Sequence, residues 1–125
     1  MATKIELINL AENLTVGKAL AVLKDAALDR KADDIVFLDM TGVVDYLDVM
    51  CLATGETALQ TRAIADRIAE RLKEYDIIVD SLQGYQEGSW VVLDYGWLVV
   101  HIMLPDVRAF YKLEDLWSEG RALKI

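Results

Sequence analysis

The sequence predicts an α/β fold with a single mixed β-sheet of about five strands and helices packed on it. Two long segments carry apolar residues at the spacing of a helix face. Near-continuous apolar runs at 35–38 and 49–53 are typical of strands covered on both sides. The segment 89–104 is rich in β-branched and aromatic residues around a glycine, which indicates a hairpin.

The predicted elements follow in the order α-β-β-α-β-β-β-α. Helices are predicted where a capping residue or a proline precedes apolar residues at helical spacing, at 15–31, 57–75 (or from Glu56) and 107–117. Strands are predicted where short apolar runs end at turn or acidic residues, at 34–40, 48–54, 77–82 and on both sides of the turn in 89–104. We expect an arm at 1–14, one α/β domain at 15–118 and a C-terminal tail at 119–125.

The hairpin has two chemically different faces if Tyr95 and Gly96 form its turn. Asp94 then lies opposite Trp97, and Trp90 lies opposite His101. Because side chains alternate along a strand, one face is apolar and predicted to be core, with Val91, Leu93, Leu98, Val100 and Ile102. The other face carries two tryptophans, a carboxylate and the single histidine, and it is a candidate partner surface: Trp90, Val92, Asp94, Trp97, Val99 and His101.

Length and composition indicate one globular domain in a reducing compartment. A chain of 125 residues with 54% apolar residues can bury a core of its own. No window reaches the roughly 18 consecutive apolar residues of a membrane helix, and the amino terminus has no secretory or transit pattern. The single cysteine, Cys51, cannot form an internal disulfide. We therefore expect a cytoplasmic protein without a membrane segment.

The net charge of −8 argues against direct, sequence-specific binding to nucleic acid, which usually needs a basic patch. The basic residues are scattered among acids. An acidic surface favours a basic protein partner, although acidity also serves solubility alone.

No constellation for metal binding or nucleophilic catalysis emerges from the residue spacing. Cys51 and His101 are not paired at ligand spacing, and Cys51 lies mid-strand, where cysteine is usually a small buried hydrophobe. Glycine-rich phosphate loops are absent. We predict no cofactor, no metal and no catalytic residue.

The junction at 54–57 keeps one enzymatic alternative open, because a strand followed by a helix start can hold an anion on free backbone amides. A nucleotidyl-transferring enzyme also needs two carboxylates one residue apart to hold magnesium. Asp45 and Asp48 are three apart, and Glu56 would repel a phosphate. The favoured interpretation is a capping turn.

The aromatic residues have structural as well as functional interpretations. A lone histidine in an apolar strand usually forms a hydrogen bond with a neighbour, and for His101 that neighbour could be Asp94 or a backbone group. Trp90 and Trp97 are either lids under a helix or interface anchors. The helical spacing of Phe110 and Trp117 is more often core than contact surface, and the same question applies to Tyr111.

Several segments together resemble the ribosomal silencing factor family, also called the Iojap-related family. The matching stretches extend over roughly 15–118 and include Asp34-Ile-Val-Phe-Leu-Asp39, Ala53-Thr54-Gly55, Trp90-Val-Val-Leu-Asp-Tyr-Gly96 with Val100-His101, and Arg108-Ala-Phe-Tyr-Lys-Leu-Glu-Asp-Leu-Trp117. The resemblance implies a nucleotidyltransferase-like fold without catalytic carboxylates. It implies docking on a basic protein of the large ribosomal subunit, the fourteenth in its series, at the face that meets the small subunit. Docking there would block subunit joining and repress translation.

The resemblance carries over a set of partner-binding positions: Asp48, Trp90, Asp94, Tyr95, Gly96, His101, Tyr111, Leu113 and Trp117. Trp97 joins this set because of its predicted face. The chain departs from the family pattern at Leu59, Gln83 and Trp97, where an arginine, a glutamate and an aspartate are common. A homodimer formed through the exposed hairpin and a role in large-subunit assembly remain alternatives.

Overall fold

The computed structural model describes residues 9–11, 14–116 and 120–125, with the backbone alone at 9–11 and 116. The elements are β1 (Asn9–Ala11), β2 (Leu14–Thr15), α1 (Val16–Asp29), β3 (Asp33–Asp39), β4 (Val49–Thr54), α2 (Ala58–Lys73), β5 (Ser81–Gln83), β6 (Trp90–Asp94), β7 (Leu98–Met103), α3 (Pro105–Tyr111), α4 (Leu113–Leu116) and β8 (Arg121–Leu123). In this part of the chain, no helix is both long and apolar enough to cross a membrane.

The predicted fold class is confirmed, with a main sheet of six described strands rather than five. Their order is β5-β6-β7-β4-β3-β8, and β1 and β2 form a separate ribbon. Among these strands β4 and β7 are parallel, and the other neighbours are antiparallel. The sixth strand, β8, comes from residues expected to form a tail. It pairs with β3 through Phe37 and Leu123, and Leu123 is buried in the core.

The two long helices begin where capping residues predict. The Thr15 hydroxyl accepts a hydrogen bond from Lys18 N at 3.2 Å, and the Thr57 hydroxyl accepts one from Gln60 N at 3.1 Å. The Gln60 side chain also accepts from Glu56 N at 2.7 Å, which adds a second hydrogen bond at the start of α2. Both helices pack on one side of the sheet and form the larger core with it.

A smaller core covers the opposite side of the sheet. It contains Leu38, Met40, Leu47, Met50, Leu52, Met103 and Leu113. The loop between β3 and β4 supplies Val43 and Val44 at its edge, and α3 supplies Val107. Two long helices therefore cover one side of the sheet. On the other side it is covered by a loop and two short helices.

Two predicted elements are shorter than expected. The strand predicted at 77–82 is reduced to β5, because only Ser81–Gln83 pair with β6. Ile77 N instead donates to Leu72 O at the end of α2. The helix predicted at 107–117 begins at Pro105 and breaks after Tyr111, since Lys112 has a φ of 48°.

The predicted hairpin register is wrong by two residues. Asp94 pairs with Val99 rather than Trp97, and Tyr95 N donates to Leu98 O, so the turn contains Gly96 and Trp97. The physical reason is burial, because Tyr95 is a core residue and cannot occupy an exposed turn. A shift of two keeps every strand side chain on its predicted face. Only Trp97 leaves its face, and its side chain packs against the larger core.

Candidate protein-docking surface

The candidate surface lies on the side of β6 and β7 that faces away from α1 and α2. We call it the hairpin face and define it by Trp90, Val92, Asp94, Val99 and His101, all of which are partly exposed. The alternate residues of the same strands are almost completely buried, as the sequence predicts: Val91, Leu93, Leu98, Val100 and Ile102. The smaller core thus leaves these five positions half covered.

Trp90 and His101 are linked across the hairpin face. The indole Nε1–H of Trp90 donates to Nδ1 of His101 at 3.0 Å, and the ring centroids are 5.9 Å apart. Because Nδ1 accepts, the imidazole is neutral and its proton is on Nε2. Burial lowers the pKa of His101 to about 4, which agrees with a neutral ring at physiological pH.

The sequence offered Asp94 or a backbone group as a partner for His101, but the observed partner is Trp90 and the Asp94 carboxylate has a different role. Oδ1 of Asp94 accepts a hydrogen bond from Gly96 N at 2.8 Å and so holds the turn. Gly96 has a φ of 86° and is exposed at the tip. Asp94 is therefore a turn residue whose outer surface remains partly open.

Aromatic rings extend the hairpin face onto α3. The Tyr111 ring lies 4.8 Å from that of Trp90, and Phe110 makes an edge contact with Tyr111 at 5.0 Å. Phe110 is 78% exposed and Tyr111 is 52% exposed. The prediction of a core position is therefore wrong for Phe110, and Tyr111 is a surface residue as well. The available signal was two adjacent aromatics on a short helix, which cannot both face the same core.

The remaining predicted contact residues differ in accessibility. Leu113 is 8% exposed and belongs to the smaller core, and Tyr95 belongs to the larger one. Burial raises the pKa of Tyr95 to about 12, and its hydroxyl has no hydrogen-bond partner among the described residues. Asp48 is partly exposed, and its N–H donates to Trp97 O at 2.9 Å beside the hairpin turn. Trp117 lies outside the described residues.

The junction between β4 and α2 is a capping turn. The amides of Glu56 and Gln60 donate to Gln60 Oε1 and the Thr57 hydroxyl, so an anion would have to compete for them. Gly55 is packed so closely that a Cβ there would lie 2.9 Å from the Thr61 side chain. These contacts explain Gly55 and Thr57 without a ligand.

Cys51 is also accounted for structurally. Cys51 is fully buried in the larger core, and burial raises the pKa of its thiol. Within 14–115 and 120–125, no three histidine, cysteine or carboxylate side chains are grouped as a metal site would require.

Comparison with known proteins assigns the family. The family model described as "Ribosomal silencing factor during starvation" matches residues 13–125. A protein of Chromobacterium violaceum named "Ribosomal silencing factor RsfS" is 38% identical over 94 residues, which cover 75% of this chain and 77% of that protein. A more distant mouse relative, "Mitochondrial assembly of ribosomal large subunit protein 1", is 27% identical over 90 residues and is matched over 40% of its length.

A solved structure agrees with this assignment. The crystal structure of a Chromobacterium violaceum protein superimposes with a TM-score of 0.81 at 33% identity, covering 84% of this chain and 88% of the other. The family model extends through nearly the whole described fold, including the hairpin face and α3. The chain therefore belongs to the ribosomal silencing factor family.

Proposed function

We propose that this protein represses translation in the cytoplasm by binding the large ribosomal subunit and blocking the small subunit from joining it. Family membership supports a ribosome-associated translation regulator. The single observation that carries the docking step is the half-open hairpin face, which presents Trp90 and a neutral His101 instead of packing them under a long helix. Tryptophan is a preferred anchor of protein interfaces.

The proposed partner is a basic protein of the large subunit, the fourteenth in its series, at the face that meets the small subunit. The resemblance to the family identifies this partner, and the net charge of −8 fits a basic one. The hairpin face contains the partly exposed carboxylate of Asp94, and Asp48 lies beside the hairpin turn. A standard interface buries about 800 Å² per partner, so the proposed partner would contact the adjoining loop and helix as well as the hairpin face.

The proposed mechanism is steric, and it requires no bond to be made or broken. The bound domain occupies space that the small subunit needs, so repression depends on occupancy of the large subunit. The departures from the family pattern bear differently on this surface. Leu59 is exposed on α2, on the opposite side of the sheet, whereas Gln83 pairs with Val92 and borders the hairpin face.

Gradient fractionation tests the proposal. Lysate is separated in a sucrose gradient, and the protein is expected to travel with free large subunits and to be absent from joined ribosomes. Purified protein is expected to reduce subunit joining in proportion to its occupancy of large subunits. Equal amounts of the protein on joined ribosomes and on free large subunits would exclude the steric mechanism.

Assembly of the large subunit is the second candidate function, supported by the name of the mouse relative. It predicts that depletion leaves precursor particles of the large subunit. If the protein instead represses translation by blocking subunit joining, its depletion leaves mature large subunits, and more of them join small subunits. The two roles are thus separated by the composition of the particles after depletion.

A homodimer formed through the hairpin remains a further alternative. Among the described strands, β7 pairs with β4 along its length and β6 pairs with β5 at Val92–Asp94, so most of the hairpin edge is already used. A dimer that uses the hairpin face itself would compete with the ribosome. Light scattering with and without large subunits distinguishes the two states.

A further inference from the structure

The short helix α3 lies beside the hairpin face and is anchored only weakly by burial, through Val107 against the smaller core. It contains seven residues, and none of them is buried by the described part of the chain. Isolated helices of this length are unstable in water. Specific contacts must therefore hold α3 where it presents Phe110 and Tyr111.

Arg108 provides most of these contacts. Its Nη1 donates to Asp34 O at 2.6 Å and to the Thr54 hydroxyl at 2.8 Å, and its Nε donates to Glu114 Oε1 at 2.6 Å. One guanidinium thus connects α3 to the start of β3, the end of β4 and the start of α4. The Arg108 side chain is 12% exposed, so these bonds are partly shielded from water.

The space beside the Arg108 side chain is open and is not filled by other side chains. A cleft of about 540 Å³ lies there, lined by Asp34, Thr54, Pro105, Arg108, Ala109 and Lys112 among others. Because side chains do not fill this space, α3 has room to move once the guanidinium is removed. Arg108 therefore connects α3 to β3 and β4 across a cleft.

The position of α3 matters because its rings continue the hairpin face. Tyr111 lies 4.8 Å from Trp90, and Phe110 lies 5.0 Å from Tyr111, so the three rings form one series. We call Phe110, Tyr111 and Trp90 the aromatic ledge. A partner that contacts Trp90 from the open side also meets Tyr111, and the highly exposed Phe110 extends the same surface.

We propose that α3 is a docking element of this surface, with Phe110 as a contact residue and Arg108 as the positioning residue that holds the aromatic ledge together. The inference rests on the proposed function, and the occupant is the same basic protein of the large subunit. Phe110 contacts that protein directly. Arg108 acts through the ledge and does not touch the partner.

A double-mutant cycle on large-subunit binding tests the proposal. The full-length variants are Arg108→Ala, Phe110→Ala and the double variant, with affinity measured by co-sedimentation with isolated large subunits. We expect Phe110→Ala to weaken binding by about tenfold, as the loss of an interface residue does, and Arg108→Ala to weaken it by a similar factor because the aromatic ledge is displaced. The double variant is expected to bind about as weakly as either single one, because Arg108 acts through the ring of Phe110 and its neighbours.

Arg67→Ala is the matched control. Arg67 forms an ion pair with Asp29 at 2.8 Å and a second one with Glu70. It lies on α2, on the side of the sheet opposite the hairpin face. Its loss is expected to lower the melting temperature without changing the affinity for large subunits. The Trp90 indole N–H resonance, assigned with Trp→Phe variants, is expected to shift in Arg108→Ala and to stay unchanged in Arg67→Ala.

The possible outcomes distinguish failure of the α3 proposal from failure of the proposed docking function. If Phe110→Ala weakens binding and Arg108→Ala does not, the positioning role is wrong while the docking role of α3 stands. If the losses multiply in the double variant, Arg108 acts independently of the ledge and the proposal is overturned. If neither Trp90→Ala nor Phe110→Ala weakens binding, the proposed docking surface itself fails. Should Arg108→Ala fail to fold, Arg108→Lys replaces it, because lysine keeps the charge and loses the planar fork.

Discussion

The indole of Trp90 and the imidazole of His101 are joined by a 3.0 Å hydrogen bond, although they do not lie opposite each other in the hairpin. Trp90 pairs with Met103, and His101 pairs with Val92, so the bond is diagonal. Tyr111 contacts the Trp90 ring as well. The bond and this ring contact restrict the orientation of Trp90, and a side chain that is ordered before binding loses less entropy when a partner arrives.

Replacing Trp90 is expected to weaken docking. Trp90→Ala should reduce the affinity for isolated large subunits by about 1–2 kcal/mol, or roughly tenfold, if the ring is an interface anchor. Co-sedimentation at limiting protein concentration measures this loss. Tyr75→Ala is the matched control, since Tyr75 is 38% exposed beyond the end of α2.

Thermal unfolding of Trp90→Ala must accompany that measurement, because Trp90 is partly buried and truncating a fully buried tryptophan costs about 3–5 kcal/mol of stability. Trp90→Phe keeps an aromatic ring and loses the donor to His101. Wild-type affinity in a folded Trp90→Ala variant would remove Trp90 from the interface.

The stability of the protein is expected to decrease with acidification in a window set by His101. Burial lowers the pKa of His101 from 6.5 to about 4, so between these pH values the unfolded chain takes up a proton that the folded protein does not. The free energy of unfolding should therefore fall as the pH is lowered from 6.5 to 4, by up to about 3 kcal/mol.

His101→Asn isolates this contribution, because its side-chain oxygen can still accept from the Trp90 indole and does not titrate. Chemical denaturation at several pH values is the measurement. The stability difference between wild type and variant should change steadily between pH 6.5 and 4 and be constant above pH 7. A constant difference throughout would show that His101 titrates normally in the folded protein.

Gly84 is expected to be intolerant of any side chain. Its φ is 73°, and a Cβ there would lie 2.0 Å from the carbonyl oxygen of Trp90. Gly84→Ala should cost more than about 3 kcal/mol, because backbone strain is joined by a clash with the first residue of β6. Urea denaturation measures the loss.

Gly42→Ala supplies the comparison for Gly84→Ala. Gly42 has a similar φ of 79°, but a Cβ there meets nothing within 4 Å among the described residues. Its substitution should cost about 1 kcal/mol through backbone strain alone. Equal losses in the two variants would show that the contact with Trp90 is relieved by movement of the loop.

The turn before α2 is expected to act as a helix cap and not as a nucleotide site. Thr57→Ala should destabilise the protein by about 1 kcal/mol, because Gln60 N loses its acceptor. Calorimetric titration of the wild type with nucleoside triphosphate and magnesium should give no micromolar binding. Saturable micromolar binding that is lost in Thr57→Ala would restore the nucleotidyltransferase interpretation.

The docking surface could be predicted only in part, and the successes share one cause. Alternation along the hairpin depends on local chemistry, so the assignment of Val91 and Leu93 to the core survives even a register error of two residues. The turn position itself depended on whether Tyr95 was buried, which is decided by packing against other elements. The exposure of Phe110 depends on the short length of α3 and on the position at which the Arg108 hydrogen bonds hold this helix.

The sequence by itself determined the α/β class, the caps of both long helices, the two-faced hairpin and the resemblance to a family, because periodicity, capping and short motifs are local properties of the chain. Tertiary structure alone decided the sheet order, the pairing of β8 with β3, the turn at Gly96 and Trp97, and the aromatic ledge. These features join residues that are far apart in the chain, as Arg108 joins Asp34 and Thr54. Such contacts form only where several elements pack together, and no local pattern records them.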